Sequence, residues 1–256
     1  MDKADFPNPK LKLPKELRDS KEDHTIKSFK ALDTYFDLVQ EYIYTDINLD
    51  YRQTDPLHSH AWIQRIVSAG LLRSLYIRNG LVDSINTRNP MGMFLNLKAL
   101  VEVVGLFASI LDILESNLSK EELVSRLEPY AIGNRGKGEL RIGEVDAVNV
   151  VTMLEKGNKY MNKISKEKGN TFFTDYYDVA SNPSHPSFDA HEIVGFLEAP
   201  FWKAKTPEQV REVIVEYLPG YGGLLMSPIF IRSICEKISK IEESHFAQLG
   251  SKKYFS

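Results

Sequence analysis

The sequence lacks the features that would assign it to a specialised class of protein. Its 256 residues include one cysteine, Cys235, which excludes an internal disulfide and is typical of a reducing compartment. The formal net charge of −3 excludes the overall positive field of many nucleic-acid-binding domains. The longest apolar run, Ala99 to Leu114, contains two carboxylates and is too short to cross a bilayer. Because the first residues lack a signal-peptide pattern, we expect a cytoplasmic protein with no membrane partner.

What the sequence does contain is helical periodicity. Apolar residues recur at steps of three and four through most of the chain, and period-two alternation is confined to residues 193–197. We therefore predict an all-α helical bundle. Its centre is a long antiparallel pair of helices at residues 58–86 and 91–116, joined by the turn at Asn89-Pro90.

Turn and capping signals divide the rest of the chain. Three prolines and many charges mark residues 1–22 as an extended N-terminal arm, and residues 23–256 are predicted to form a single helical domain. Ser119 and Glu122 form a capping-box pattern, and Thr206-Pro207 marks another helix start. Further helices are predicted at residues 24–48, 119–131, 144–164, 171–182, 206–218 and 225–249.

Two charged residues interrupt the apolar pattern of the central pair. Glu102 is the only charge between residues 99 and 111, in a helix that is apolar on nearly every side and is therefore predicted to be buried. Arg73 falls on the stripe of the other helix that also carries Ile66 and Ala69. Since a buried carboxylate needs a partner, we predict an Arg73–Glu102 ion pair, with Lys98 as a second candidate partner.

The segment from Tyr176 to His191 concentrates polar side chains. Prolines bracket His185 and stiffen its backbone, and a rigidly held histidine is suited to proton transfer near neutral pH. The same residue is equally suited to ending a helix. Two other interpretations remain: a metal site and a serine nucleophile. The metal site would use His58, His60, His185, Asp189 and His191, whose spacing matches no standard zinc pattern, and Ser181 lacks a nucleophile-elbow motif.

A resemblance links these residues. The stretches LLRSLYIRNGLVDSI and LKALVE, followed by an aromatic helix that ends in YDVASNPSHP, resemble an uncharacterised bacterial helical family related to the HEPN proteins over residues 60–192. The resemblance implies a metal-independent ribonuclease or toxin of a defence system, acting on RNA as a homodimer without a cofactor. It implicates as site residues His185, Arg73, Glu102 and Ser181. Tyr176, in the same polar segment, is a further candidate catalytic residue.

The resemblance assigns roles that chemistry supports. His185 would be the general acid/base and Arg73 would stabilise phosphate charge, while the RNA 2′-hydroxyl supplies the nucleophile. The basic loop that carries Arg135, Lys137 and Arg141 is the expected phosphate contact, and no DNA-binding signature is present. Two alternatives stay open: a non-catalytic binding or regulatory module with a structural polar core, and a metal-dependent hydrolase.

Overall fold

The computed structural model is an all-α helical bundle, as predicted. It describes residues 6–18, 23–47, 58–131, 133, 145–166, 168–185, 188–225, 227–246 and 252–253. The helices are α1 (Lys15–Arg18), α2 (Asp23–Val39), α3 (His58–Asn86), α4 (Pro90–Leu114), α5 (Lys120–Ala131), α6 (Val150–Ser165), α7 (Phe172–Ser181), α8 (Phe188–Val194), α9 (Pro207–Tyr217), α10 (Gly222–Leu225) and α11 (Ser227–Phe246).

The long pair α3 and α4 forms the centre of the bundle, and its predicted boundaries are confirmed to within two residues. Asn89 caps α4 by accepting a hydrogen bond from the Gly92 amide at 3.1 Å, and Pro90 occupies the first helical turn. Gly70 lies against Phe107, and Gly80 lies against Asn96. Because residue numbers rise along one helix as they fall along the other, the two helices are antiparallel.

Helix α4 is buried along most of its length. Its apolar residues fill the core on nearly every side, and α3, α5, α6, α7, α9 and α11 all pack against it. A helix with this composition is stable only when it is surrounded, so the remaining helices are arranged around it. Cys235 of α11 is buried in the same core, and burial raises the pKa of its thiol, which keeps it protonated.

Capping residues set several of the other boundaries. Ser119 and Glu122 form the predicted capping box, and Thr206 and Gln209 form a second one at the start of α9. Helix α6 begins at Val150, six residues later than predicted, because Asn149 caps it by accepting from the Val151 amide. The prediction of a helix up to residue 48 is wrong, since α2 ends at Val39.

Short antiparallel strand pairs complete the described structure. Strand β1 (Tyr44–Asp46) pairs with β4 (Lys252–Lys253), and β2 (Gly195–Glu198) pairs with β3 (Phe201–Ala204) as a hairpin. The hairpin lies where the sequence alternates with period two. Among the described helices, the stretch Pro207–Lys240 is long and apolar enough to cross a membrane, judged by length and composition alone. In its most apolar 18-residue segment, 53% is buried inside the protein.

The described part of the N-terminal arm packs against the bundle. Residues 6–14 form no helix or strand, yet Phe6 is only 3% exposed and packs its ring 5.5 Å from that of Phe36. Leu17 of α1 is buried in the same core. The arm therefore contributes apolar surface to the domain that it precedes.

Candidate functional site

The predicted pair between Arg73 and Glu102 forms, but it lies at the surface. Arg73 Nη2 donates to Glu102 Oε2 at 3.0 Å, and the two side chains are 55% and 22% exposed. The prediction that Arg73 occupies a buried seam is wrong. The side of α3 that faces the core instead carries Ile63, Leu71, Leu75, Arg78, Val82 and Ile85.

The buried arginine of this helix is Arg78, which the sequence analysis missed. It is 1% exposed. Its Nε donates to the Leu32 carbonyl at 2.8 Å, and its Nη1 donates to the side-chain oxygens of Asn8 at 3.0 Å and Asn79 at 2.9 Å. Nη2 lies 3.6 Å from Asp33 Oδ1. Burial lowers the pKa of Arg78, an effect that the negative charge of Asp33 opposes.

His185 contacts a lysine of α4. Its Nε2 accepts a hydrogen bond from Lys98 Nζ at 3.2 Å. The imidazole is exposed and follows the 3-10 turn at residues 182–184, in which Pro183 is buried. Because an ammonium group only donates, Nε2 is the acceptor in this contact and its lone pair is occupied.

Lys98 connects this histidine to the ion pair. It lies one helical turn before Glu102, so both residues point from the same face of α4. Its Nζ also lies 5.2 Å from the centre of the Tyr177 ring, within the range of a cation–π contact. Two contacting sets, Arg73 with Glu102 and Lys98 with Tyr177 and His185, thus lie about one helical turn apart on α4. Together they form a polar face on α3, α4 and the segment from α7 to residue 185.

A cavity of about 370 Å³ opens beside this polar face. Arg73, Glu102 and Tyr177 line it together with Tyr130, and its remaining wall is apolar, including Leu106, Val150 and Met153. The volume falls within the usual range for small-ligand sites. A flat apolar group fits such a wall, while the ion pair offers both donors and an acceptor at its edge.

A lysine lies against one of the tyrosines that line the cavity. Lys156 Nζ lies 3.4 Å from the Tyr130 hydroxyl and 5.6 Å from the centre of that ring. The pKa of Lys156 is lowered, mainly by burial and further by the positive charge of Arg126, although Asp112 opposes both effects. An anion bound here would relieve this repulsion.

The basic residues that we predicted to contact phosphate, Arg135, Lys137 and Arg141, lie outside the described residues. Gly133 and Ala147, on either side of that segment in the sequence, both line the cavity. Their backbones pack closely, since a Cβ atom on Gly133 would lie 2.5 Å from the Ala147 Cα.

Two predicted site residues are not part of this face. Ser181 is 8% exposed at the end of α7, and a buried hydroxyl of this kind is not presented to a substrate. Tyr176 lines a separate cavity with residues of α9, whereas its neighbour Tyr177 lines the one described above. Consecutive residues on a helix point about 100° apart, which separates the two rings.

The metal hypothesis gains no support from the described residues. Among them, no group of three His, Cys, Asp or Glu side chains is placed to hold a metal ion. The side chains of His58 and Asp189, two of the proposed ligands, lie outside the described set.

Comparisons with known proteins do not identify a relative. No protein-family model matches the chain, and no curated protein or solved structure is similar to it. Function is therefore argued from the geometry of the polar face.

Proposed function

We propose that the polar face binds single-stranded RNA and cleaves it without a metal ion. The observation that carries the proposal is the contact between Lys98 Nζ and His185 Nε2, since Lys98 also lies against Tyr177, which lines the cavity together with Arg73. An imidazole nitrogen beside a cation is suited to deprotonating a hydroxyl next to a phosphate. The resemblance to HEPN ribonucleases, which rests on the same residues, points in the same direction.

The chemistry needs no protein nucleophile. Lys98 would turn from His185 to the phosphate, which frees the Nε2 lone pair. His185 Nε2 would then remove the proton from an RNA 2′-hydroxyl, whose oxygen attacks the adjacent phosphorus as the bond to the 5′-oxygen breaks. The leaving 5′-oxygen takes its proton from the Lys98 ammonium or from water, which reaches an exposed site. The products are a 2′,3′-cyclic phosphate and a 5′-hydroxyl. Arg73 and Lys98 would stabilise the negative charge that develops on phosphorus oxygens.

The cavity supplies a place for a base. Tyr130 and Tyr177 offer ring faces, and stacking on an aromatic side chain contributes about 1–3 kcal/mol per base in single-strand binding. Arg73, together with Lys98 and Lys156 beside the two tyrosines, would attract phosphate in a chain whose overall charge is negative, because local charge dominates within a Debye length of about 8–10 Å.

Cleavage of a labelled single-stranded RNA in a chelating buffer tests the proposal. We expect cyclic-phosphate products, and we expect His185→Ala to lower the rate by about 10²- to 10⁴-fold with little change in RNA affinity. His191→Ala is the matched control, since His191 is also exposed and lies six residues later in α8. DNA of the same sequence should bind without being cleaved, because it lacks the 2′-hydroxyl.

Binding is tested separately through its salt dependence. Lys98→Ala should weaken RNA binding and reduce the slope of log affinity against log salt by about one. Lys30→Ala, which removes an exposed lysine of α2, should leave both unchanged. Equal cleavage by His185→Ala would show that another group, or a contaminating nuclease, is responsible. Absence of RNA binding would refute the proposal as a whole.

A second candidate is binding of RNA without cleavage. It is favoured by one feature: Arg73 and His185 each already have a protein partner, in Glu102 and Lys98 respectively. A structural polar face of this kind binds phosphate when a partner is displaced. RNA that binds to the wild-type protein, with the Lys98→Ala effect intact but no cleavage, would select this candidate.

A further inference from the structure

A second cavity lies on the other side of α7 and is unlike the first. Its volume is about 410 Å³, and it is formed between α7 and the segment where α9 passes into the 3-10 turn at residues 218–221. Three tyrosines line it, accompanied by two carboxylates; the lining includes Tyr176, Tyr217, Tyr221, Asp175 and Glu216. The proposal of RNA cleavage uses none of these residues.

The tyrosine rings are held by an aromatic network. Tyr221 lies 6.2 Å from Tyr176 between ring centres, and Phe94 of α4 stands behind both Tyr217 and Tyr221 at 5.7 and 5.9 Å. The Tyr221 hydroxyl donates to the Val179 carbonyl at 3.2 Å, which fixes the orientation of its ring. Phe172 supports Tyr176 from the other side, with ring centres 4.6 Å apart.

The three rings contribute unequal aromatic surface to the cavity, since Tyr221 is 3% exposed and Tyr217 is 42% exposed. Burial raises the pKa of Tyr221, with smaller contributions from Tyr217 and Tyr176, and burial also raises the pKa of Tyr176. Both phenols are therefore neutral at physiological pH. The negative face of a neutral aromatic ring attracts cations within about 6 Å of its centre.

The charge around the cavity has one sign. Asp175 and Glu216 are its two charged lining residues, and no basic residue is among the described residues that line it. The Asp175 carboxylate accepts from the Thr171 hydroxyl at 2.7 Å, a bond that leaves its charge in place. Within the part of the chain that the structure describes, Glu216 forms no ion pair.

We propose that this cavity binds an organic ammonium ion whose nitrogen carries alkyl groups. A lining of three tyrosine rings and two carboxylates matches such a ligand in charge, because an alkylated ammonium is a diffuse cation that loses little hydration when it enters an aromatic site. A neutral molecule of the same shape would gain the apolar contacts but not the attraction to the rings and carboxylates. This inference is independent of the RNA proposal.

A pair of matched ligands tests the charge requirement. Calorimetric titration of the full chain with choline should give saturable binding, whereas the neutral isostere 3,3-dimethyl-1-butanol should bind at least about tenfold more weakly, which corresponds to about 1.4 kcal/mol. Tyr217→Leu keeps an apolar side chain but removes the ring, and it should weaken choline binding by about three- to thirtyfold. Glu216→Gln should also weaken choline binding, and the effect should be larger at low salt than at high salt.

Two glycines provide a control of shape. A Cβ atom added at Gly223 would lie 2.8 Å from the Tyr176 hydroxyl, so Gly223→Ala should displace that ring and reduce choline affinity. Gly222→Ala is the matched control, because a Cβ atom there meets nothing within 4 Å.

The outcomes separate cleanly. Selective choline binding that Tyr217→Leu and Gly223→Ala weaken, and that Gly222→Ala leaves unchanged, supports the proposal. Equal binding of choline and the neutral isostere would show that the cavity recognises apolar shape alone and would overturn the proposal. It is also overturned if choline fails to bind at millimolar concentration, or if Tyr217→Leu and Gly223→Ala bind it as tightly as the wild type.

Discussion

Arg73 and Arg78 lie five residues apart on α3, and their surroundings are opposite. Arg73 is 55% exposed and holds one carboxylate at the mouth of a cavity. Arg78 is 1% exposed and donates to three oxygens from α2, α3 and the N-terminal arm. Five residues correspond to about 500° of helical rotation, which places the two side chains on different faces of the helix. The comparison separates a cation that is available to a ligand from one that joins elements of the fold.

The largest expected effect is on stability, at the buried arginine. Arg78→Ala would leave the Leu32 carbonyl and the side-chain oxygens of Asn8 and Asn79 without their donor, so we expect the free energy of unfolding to fall by about 3–5 kcal/mol. Urea denaturation followed by circular dichroism measures this change. Arg78→Lys keeps the charge but lacks the planar guanidinium, so its free energy of unfolding should lie between those of the wild type and Arg78→Ala. A loss below about 1 kcal/mol would show that Arg78 is not essential to the fold.

A smaller loss is expected at the partner of that arginine. Asn79 accepts from Arg78 and donates to the Pro7 carbonyl of the arm. Asn79→Ala should therefore lower the free energy of unfolding by about 1–3 kcal/mol, the cost of unsatisfied buried groups. Thermal denaturation and cleavage of the arm by a protease should both report it. If stability falls while the arm stays resistant to the protease, the contact between Asn79 and Pro7 contributes little to holding the arm against the bundle.

The smallest effect on stability is expected at the surface pair. Arg73→Ala and Glu102→Ala should each change the free energy of unfolding by less than about 1 kcal/mol, because water and salt screen an exposed ion pair. A double-mutant cycle in low and high salt measures the coupling, which should be about 0.2–1 kcal/mol and should shrink as salt is added. A coupling energy of several kcal/mol would instead show that Arg73 and Glu102, like Arg78, stabilise the fold.

Helical periodicity predicted the centre of the fold because the information was local. The ends of α3 and α4 follow from the Asn89-Pro90 turn, and the burial of α4 follows from its composition. The orientation of α3 about its own axis is a tertiary property. Its apolar residues spread over more than one stripe, so the stripe that carries Arg73 resembled a core face. A signal was nevertheless present: the stripe with Leu71, Leu75 and Val82 is more apolar, and it contains Arg78.

The site was predictable only in part, because the partners of its side chains depend on tertiary packing and not on the local sequence. Arg73, Glu102 and His185 stood out because each type is unusual in its local pattern. The partner of His185 depends on where the end of α7 lies against α4, across 87 positions of sequence. Lys98 was considered as a partner of Glu102, one turn away, and local spacing gave no means of choosing His185 instead. The division of Tyr176 and Tyr177 between two cavities likewise depends on which helices flank α7.

The bonds from Arg78 and Asn79 to the N-terminal arm bear on how the protein is best handled in the laboratory. A truncation that begins at Asp23, where the long helices start, would remove Asn8 and Pro7 and expose a guanidinium that is desolvated in the intact chain. It would also uncover the apolar surface beneath Phe6. An expression clone should therefore retain the arm that contains Phe6, Pro7 and Asn8, with any affinity tag placed ahead of it.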